Sequence, residues 1–302
     1  MFSKGFYSVS RGSLLAVAAA VGALAAVAAH AHAANAVFSD TFSRADTSAA
    51  TWQSSPNPIG NGWVINTSLA GATTPNSTNP TTWQISGDTL SVNPQATFQM
   101  DTMTNPGALT PDTGGNNFSL SVDVSWSTIP TSGGNNDYAG LVFGCQSSGG
   151  SSAGWNILRM EPITTASYGS YVIAQTVSAS SNFTDMTGSS RVQLSTPLSA
   201  GTFYQMSVSS TTPGNFNWSV STTGSSPTTL GSGAVADGSY ANGIGGLFTL
   251  LNDPVSFTNF SDTFTAVPAP DTLGLFAVGG AALVLIGRKR RACLPPSPRR
   301  SP

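Results

Sequence analysis

The stretch Phe118–Trp126, FSLSVDVSW, alternates strictly between apolar and polar residues. Its apolar residues occupy every second position: Phe118, Leu120, Val122, Val124 and Trp126. Successive side chains of a β-strand point to opposite faces, so a period of two predicts one buried and one solvated face. This pattern is typical of antiparallel sheets, which commonly expose one face to water.

The same alternation recurs on both sides of this stretch, in FYQMSVS (203–209) and NFNWSVS (215–221). About a dozen short strands are indicated, separated by clusters of Gly, Asn, Pro and Ser, and no segment between 36 and 266 keeps a helical period. The pattern predicts a single all-β domain, a two-sheet antiparallel β-sandwich of the jelly-roll type. Three turn-rich passages are predicted surface loops: 54–62, 69–80 and 106–117.

The pentapeptide FSDTF occurs twice, at Phe38–Phe42 and at Phe260–Phe264. No similar sequence follows the two copies, so a tandem repeat is not indicated. Since the first and last strands of a jelly roll lie side by side, we predict that the two copies are antiparallel neighbours with their Phe residues in one core. The pair then marks the limits of the domain, near residues 36 and 266.

The charges of this domain are few and mostly negative. Residues 36–266 contain eleven Asp and one Glu against three Arg, with no Lys or His, which gives a formal charge of −9. Nucleic acid is therefore not an expected partner, because binding to phosphate backbones depends on basic residues. Cys145 lies in the strand-like AGLVFGC and is predicted to be a small buried side chain without a disulfide.

The N-terminus has the order of a secretory signal peptide. Lys4 and Arg11 precede an apolar run at 14–29, and Ala31-His32-Ala33 fits a cleavage site. We expect residues 1–33 to be the signal peptide and the mature domain to span 34–266; an uncleaved membrane helix is the alternative. Both His residues of the chain fall in this leader.

A second apolar run, 273–287, is followed directly by the basic cluster Arg288, Lys289, Arg290 and Arg291. The run has no polar face and the cluster resembles a stop signal that stays inside, so a C-terminal transmembrane helix is predicted. The last residues, 293–302, are predicted to be a disordered tail.

The segment VPAPDTLGLFAVGGAALVLIGRKRRA (267–292) resembles the PEP-CTERM protein-sorting signal of Gram-negative bacteria. The matching positions are a Pro-x-Pro motif and the basic end: Pro268, Ala269, Pro270, Arg288, Lys289, Arg290 and Arg291. The chain departs from that family at Ala269, where the family has Glu, and in the extension after Ala292. The resemblance implies the export machinery, signal peptidase and an exosortase-like enzyme as partners. It also implies an inner-membrane intermediate and then a place at the cell surface or outside the cell, in a biofilm or matrix.

The domain more loosely looks like the concanavalin A-like, LamG-type jelly rolls of exported bacterial proteins. The shared features are Asp40-Thr41-Phe42, Gly62-Trp63, the Trp83–Asp88 strand and turn, AGLVFG and the closing strand 257–264. These are core and turn residues, so the resemblance implies a fold and not a function.

Catalytic residues are scarce. Glycosidases of this fold use paired Glu residues, and Glu161 is the single Glu of the domain. Asp123 is expected to be a solvated strand residue. The absence of His and Lys from 36–266 excludes Ser-His-Asp, Cys-His and Schiff-base chemistry there. We therefore expect no enzyme; a hydrolase or lyase with an unusual Asp/Tyr site is the alternative.

Binding without catalysis remains open. Trp155, Tyr168 and Tyr171 lie on neighbouring predicted strands and are candidates for a glycan-binding platform, although the same residues fit a core. Extracellular polysaccharide is the corresponding candidate partner. No cofactor is expected, but a structural calcium ion is a hypothesis, with Asp40, Asp137 and Asp262 as candidate ligands. The expected function is that of an exported, non-enzymatic structural or adhesive protein, with a carbohydrate-binding module as the alternative.

Overall fold

A computed structural model of the protein describes most of the predicted domain. The described residues are 35–51, 53–66, 81–93, 99–110, 117–130, 137–145, 154–163, 169–178, 182–212, 214–240, 243–251 and 253–265. The predicted signal peptide, the predicted sorting signal with its motif and basic cluster, and the C-terminal tail lie outside these ranges. Residues 35–266 form one compact unit. No helix within the described ranges is both long and apolar enough to cross a bilayer.

The described residues form strands and turns. Seventeen strands follow one another along the chain: β1 (Asn35–Asp40), β2 (Val64–Asn66), β3 (Thr82–Ser86), β4 (Thr89–Asn93), β5 (Gln99–Thr110), β6 (Asn117–Trp126), β7 (Tyr138–Cys145), β8 (Trp155–Glu161), β9 (Tyr171–Val177), β10 (Phe183–Asp185), β11 (Thr187–Gly188), β12 (Arg191–Gln193), β13 (Tyr204–Thr212), β14 (Asn215–Thr222), β15 (Thr229–Ala236), β16 (Gly243–Leu251) and β17 (Val255–Thr265).

These strands form two sheets. The nine-stranded sheet has the order β11-β15-β14-β13-β6-β17-β4-β3, with β1 also paired to β17. The eight-stranded sheet has the order β10-β9-β8-β7-β16-β5-β2, with β12 also paired to β9. Every pairing among the described strands is antiparallel. The predicted two-sheet antiparallel β-sandwich is therefore confirmed; the predicted terminal helices lie outside the described residues.

The strand β6, which contains FSLSVDVSW, lies inside the nine-stranded sheet between β13 and β17. Its apolar residues from Phe118 to Trp126 are at most 3% exposed and belong to the main core between the sheets. Leu141, Leu158 and Met160 of the eight-stranded sheet enter the same core. The sequence pattern of β6 thus predicted its buried face. The expectation that Asp123 is solvated is wrong, because Asp123 is 6% exposed and accepts a hydrogen bond from Asn259 Nδ2 at 2.8 Å.

The two FSDTF copies are antiparallel neighbours, as predicted, because β1 pairs with β17 with Phe38 opposite Asp262 and Asp40 opposite Phe260. The predicted alternation ends early, however. Strand β1 stops at Asp40, and Phe42 has a φ of 57° yet is fully buried. The first copy is therefore half strand and half turn. Its aromatic residues reach the core by two different backbone conformations.

The predicted loop 106–117 is partly wrong, because β5 continues through Pro106 to Thr110. The register of β5 with β16 shifts between Leu109, opposite Ile244, and Asn105, opposite Gly245. Pro106 lies inside this irregularity, where a missing N–H costs no ladder hydrogen bond. A proline that would argue against a regular strand is thus accommodated by a bulge.

Candidate functional site

The end of strand β8 has apolar side chains on its inner face and charged side chains on its outer face. Leu158 and Met160 enter the main core, so Arg159 and Glu161 lie on the outer face of the eight-stranded sheet. Arg159 is opposite Ile173 of β9, and Glu161 is opposite Tyr171. Two adjacent strands therefore place a cation, a carboxylate and a half-buried tyrosine on the same side of the sheet.

Arg159 is enclosed by aromatic rings. Its Cζ atom lies 3.9 Å from the ring centroid of Tyr138 and 5.2 Å from that of Phe183. The residue is only 7% exposed, and its Nε donates no hydrogen bond within the described residues. On the neighbouring strand the residue opposite is Gly140, where a Cβ atom would collide with the β8 backbone. Burial lowers the pKa of Arg159, with the nearby Tyr138 and Glu161 acting in the opposite direction.

This burial is energetically unusual. A cation–π contact contributes about 0.5–2 kcal/mol, whereas desolvation of an ion costs several kcal/mol. The other two Arg residues of the domain bond to carboxylates, Arg44 to Asp40 and Arg191 to Asp185, both at 2.6 Å. Within the described residues, Arg159 has no such ion pair. A buried cation without a direct ion pair is a candidate for contact with a ligand.

Next to Arg159 lies a second charged group, carried by the short strands β10 and β12. Arg191 donates to both oxygens of Asp185, at 2.6 and 3.2 Å, and Gln175 Nε2 donates to Asp185 Oδ1 at 2.7 Å. The hydrogen bond from Arg191 lowers the pKa of Asp185. Gln175 is 4% exposed, and its Oε1 accepts no hydrogen bond among the described residues.

Tyr138 of β7 contacts both Arg159 and Glu161 of β8. Its hydroxyl donates to Glu161 Oε1 at 3.1 Å, and burial followed by the charge of Glu161 raises its pKa. We call the whole assembly the arginine cluster: Tyr138, Arg159, Glu161, Gln175, Phe183, Asp185 and Arg191. Its two Arg and two carboxylates cancel in formal charge. Arg159 supplies donors, Gln175 and Glu161 supply acceptors, and Phe183, at 37% exposure, supplies an accessible ring face.

The predicted aromatic platform is only partly located here. Trp155 is fully buried, lies 5.7 Å from Phe248 between ring centroids, and belongs to a second apolar cluster. It therefore cannot offer a stacking face to a sugar, and that part of the hypothesis is wrong. Tyr171 is half-buried beside Glu161. Tyr168 lies outside the described residues.

The sequence reasoning missed Arg159, Phe183, Asp185 and Arg191. One signal was available, since only three cations occur in a domain without Lys or His. The domain contains twelve carboxylates for its three cations, so an Arg without an ion pair is unusual and points to a candidate binding site. The sequence does not show which of the three Arg residues lacks an ion pair, because this depends on contacts between four strands.

Asp40, one of the three calcium candidates, is surrounded by hydrogen-bond donors of the protein. Its oxygens accept hydrogen bonds from Phe42 N, Arg44 Nη1, Trp63 Nε1 and Asn61 Nδ2 at 2.6–3.1 Å. Burial by itself would raise the pKa of Asp40, but these donors outweigh it and hold the pKa below its usual value. Asp40 is thus paired with a cation and with three other donors, and a calcium ion bound there stays a prediction.

The other two calcium candidates are also buried. Asp137 accepts from the backbone N–H of Asp253 at 3.0 Å, and Asp262 lies on β17 opposite Phe38 and Leu120. In the part of the chain that the structure describes, no three His, Cys, Asp or Glu residues gather as metal ligands would. Cys145 is buried, as predicted, at 2% exposure.

No known family model matches this sequence, and neither does any curated protein. Solved structures do match. A lectin from Bauhinia forficata in complex with GalNAc is 7% identical, with 77% of this chain and 99% of that chain covered and a TM-score of 0.44. A protein of unknown function with a galectin-like fold from Bacillus subtilis is 12% identical, with 74% and 98% covered and a TM-score of 0.42. The exoplasmic/lumenal domain of VIP36, in a Ca²⁺/Man2-bound form, is 8% identical, with 78% and 89% covered and a TM-score of 0.44.

Proposed function

We propose that this protein is an exported β-sandwich that binds neutral saccharides at the arginine cluster without transforming them. The observation that carries the proposal is the buried Arg159, held between two rings with its Nε unpaired, beside the unpaired Oε1 of Gln175. Sugar hydroxyls both donate and accept, so they match an unpaired donor and an unpaired acceptor on the same face of adjacent strands. An accessible ring such as Phe183 can pack against the apolar face of a pyranose.

The charge balance favours a neutral ligand over an acidic one. The cluster has no net formal charge, and the surrounding domain carries −9. A polyanion would gain little at the cluster and would be repelled by the rest of the surface. A neutral glycan avoids this repulsion and still uses the donors of Arg159.

A non-enzymatic role is supported by the state of the carboxylates. Hydrolysis of a glycosidic bond requires a carboxyl group that is protonated near neutral pH. Arg191 lowers the pKa of Asp185 and so favours its ionised form, which is unsuited to a general acid. Glu161 Oε1 accepts a hydrogen bond from the Tyr138 hydroxyl, and Glu161 has no second Glu in the domain to pair with.

Export and sorting form part of the same proposal, supported by the leader and by the resemblance at 267–292. We propose passage through the inner membrane, processing by an exosortase-like enzyme and a final place at the surface or in the matrix of a Gram-negative cell. Mass spectrometry of the protein from its native host tests this. We expect cleavage before Ala34 and loss of Arg288–Arg291; a secreted protein that keeps both ends contradicts it.

Binding is tested with the full chain on an array of neutral and uronate-containing glycans. Arg159→Met keeps the aliphatic stem and removes the guanidinium, so we expect at least a tenfold loss of affinity for the glycans that bind. Asn217→Ala is the matched control, because Asn217 is exposed on the nine-stranded sheet, and should bind normally. Absence of glycan binding, or equal binding by the Arg159 variant, would contradict the proposal. A preference for uronates would contradict the assignment of a neutral ligand.

A further inference from the structure

The outer face of the nine-stranded sheet contains a groove of about 340 Å³, on a different sheet from the arginine cluster. Its floor is formed by one row of serines across three strands, Ser91 of β4, Ser256 of β17 and Ser125 of β6. Thr89, Asn93 and Phe203 also line the groove. We call this feature the serine groove. Its volume is near the lower limit of roughly 300–1,000 Å³ found for small-molecule sites.

The walls of the groove are fixed by backbone contacts. Gly201 N donates to Trp126 O at 2.8 Å, which ties the loop before β13 to the end of β6. On the other side, the N–H and hydroxyl of Ser127 both donate to Pro254 O at 3.1 Å. A depression with walls held in this way is pre-formed, so a ligand would not have to order it on binding.

The floor carries an unused polar group. Ser125 is 95% buried, since its exposure is 5%, and its hydroxyl makes no hydrogen bond within the described residues although it lines the groove. Because this hydroxyl reaches the groove, a ligand hydroxyl can pair with it in place of water. Ser91 and Ser256, both half-buried, offer further hydroxyls beside it.

The chemistry of the lining identifies the class of ligand. None of the groove residues is charged, so an ionic ligand would lose its hydration without gaining a counter-charge. Hydroxyls and the Asn93 amide can both donate and accept, and the half-buried ring of Phe203 adds an apolar face. This combination fits a short neutral saccharide. The serine groove and the arginine cluster are on the outer faces of different sheets of one compact unit.

We propose that the serine groove is a second site for neutral saccharides, so that one chain binds glycan on both faces of the sandwich and cross-links polysaccharide. The cross-linking rests on the proposed function of the arginine cluster, whereas the groove itself does not. Because the two sites are on opposite faces of one domain, one short glycan cannot occupy both. Each chain would therefore bind two separate glycan strands.

The test is calorimetric titration of the full chain with soluble neutral tetrasaccharides of glucose, galactose and mannose. Ser256→Tyr fills the groove from the half-buried outer face of β17, and Tyr is a favourable strand residue. Ser232→Tyr is the matched control, since Ser232 is exposed on the same sheet outside the groove. We expect two sites per chain for the wild type and for Ser232→Tyr, one site for Ser256→Tyr and for Arg159→Met, and none for the double variant.

Phe203→Leu provides a second probe of the groove that leaves its floor intact, and it should weaken the groove site at least tenfold. One site per chain, unaffected by Ser256→Tyr and Phe203→Leu, would overturn the inference and leave the proposed function standing. One site that is lost in Ser256→Tyr and kept in Arg159→Met would overturn the proposed function and leave the groove standing. No binding at all would overturn both.

Cross-linking has its own readout. Beads coated with the tetrasaccharide that binds should aggregate with the wild type and with Ser232→Tyr. They should not aggregate with Ser256→Tyr or Arg159→Met, although each of these still binds the soluble sugar. Aggregation by either single-site variant would contradict bivalency within one chain.

Discussion

The two outer faces of this sandwich differ in composition and in burial. On the nine-stranded sheet, six serines stand in register across neighbouring strands: Ser39, Ser261, Ser121, Ser207, Ser219 and Ser232. On the eight-stranded sheet, the outer positions of β7, β8 and β9 carry Val142, Trp155, Ile157 and Val177, all buried, beside the charged arginine cluster. One face is dominated by serine hydroxyls, with Asp123 of β6 as a carboxylate among them, and the other combines apolar and charged regions.

The difference explains why the strands of the two sheets look different in the sequence. The strand β14 alternates between buried apolar and more exposed polar residues, whereas β8 is buried at every position before Glu161. Strands that are buried on both faces read as continuous apolar runs. An ionic side chain inside such a run, as Arg159 is in WNILRME, is therefore more informative than a serine in an alternating strand.

The largest predicted effect tests the burial of the eight-stranded face. Trp155→Ala should lower the free energy of unfolding by about 3–5 kcal/mol, because it removes a large side chain that has no exposed surface. Urea denaturation followed by circular dichroism measures this. Phe183→Ala, at an exposed position of the same face, should cost much less; equal costs would mean that the face is not divided into buried and accessible parts.

The second prediction compares two arginines. Arg44→Met should destabilise the fold by about 2–4 kcal/mol, because it leaves the buried Asp40 without its cation. Arg159→Met should leave stability within about 1 kcal/mol or raise it, since a buried charge without an ion pair is removed. The measurement is again urea denaturation. A large loss for Arg159→Met would make that residue structural and would weaken the proposed site.

The third prediction separates the two proposed sites by pH. Asp185 has a lowered pKa, so its ion pair with Arg191 is complete above its ordinary value near 3.8 and is lost as the pH falls through its folded value. Binding at the arginine cluster, measured in Ser256→Tyr, should therefore stay constant down to about pH 3.8 and weaken as the pH falls further.

Binding at the serine groove, measured in Arg159→Met, should stay constant over the same range because no ionisable side chain lines it. Far-UV circular dichroism at each pH controls for unfolding. Parallel loss at both sites in folded protein would contradict the charge difference between the faces.

The smallest effect concerns the serine row. The hydroxyls of Ser207 and Ser219 are 2.8 Å apart at the half-buried surface. Ser207→Ala should change the free energy of unfolding by no more than about 0.5 kcal/mol, because water can replace the lost partner. A loss above 1 kcal/mol would mean that the row stabilises the sheet, and the face would no longer be a merely solvated surface.

Much of the fold followed from local patterns. The period of two in β6, β13 and β14 indicated which residues are buried, and the two FSDTF copies indicated that the first and last strands pair. The same reasoning failed where the backbone leaves a regular strand, at Phe42 and at Pro106. A left-handed residue and a bulge both break the alternation on which the prediction depends.

The candidate site was harder to predict, because its residues come from different strands. Tyr138, Arg159 and Phe183 meet only when β7, β8, β9 and β10 pair in the observed order. Asp40 shows the same limit: the sequence made it a calcium candidate, whereas Trp63 and Arg44 fill its oxygens in the folded chain. In Trp155 the sequence predicted an aromatic strand residue and could not state its burial.

The sequence by itself determined the all-β class, the antiparallel pairing of the chain ends and the acidic, Lys-free character of the domain. These properties depend on alternation and composition, which are local. Only the tertiary structure decided which arginine lacks an ion pair, which aromatic residues remain accessible and where hydroxyls form a groove. Those properties depend on which strands become neighbours, and strand order is set by the packing of the whole sandwich rather than by any single segment.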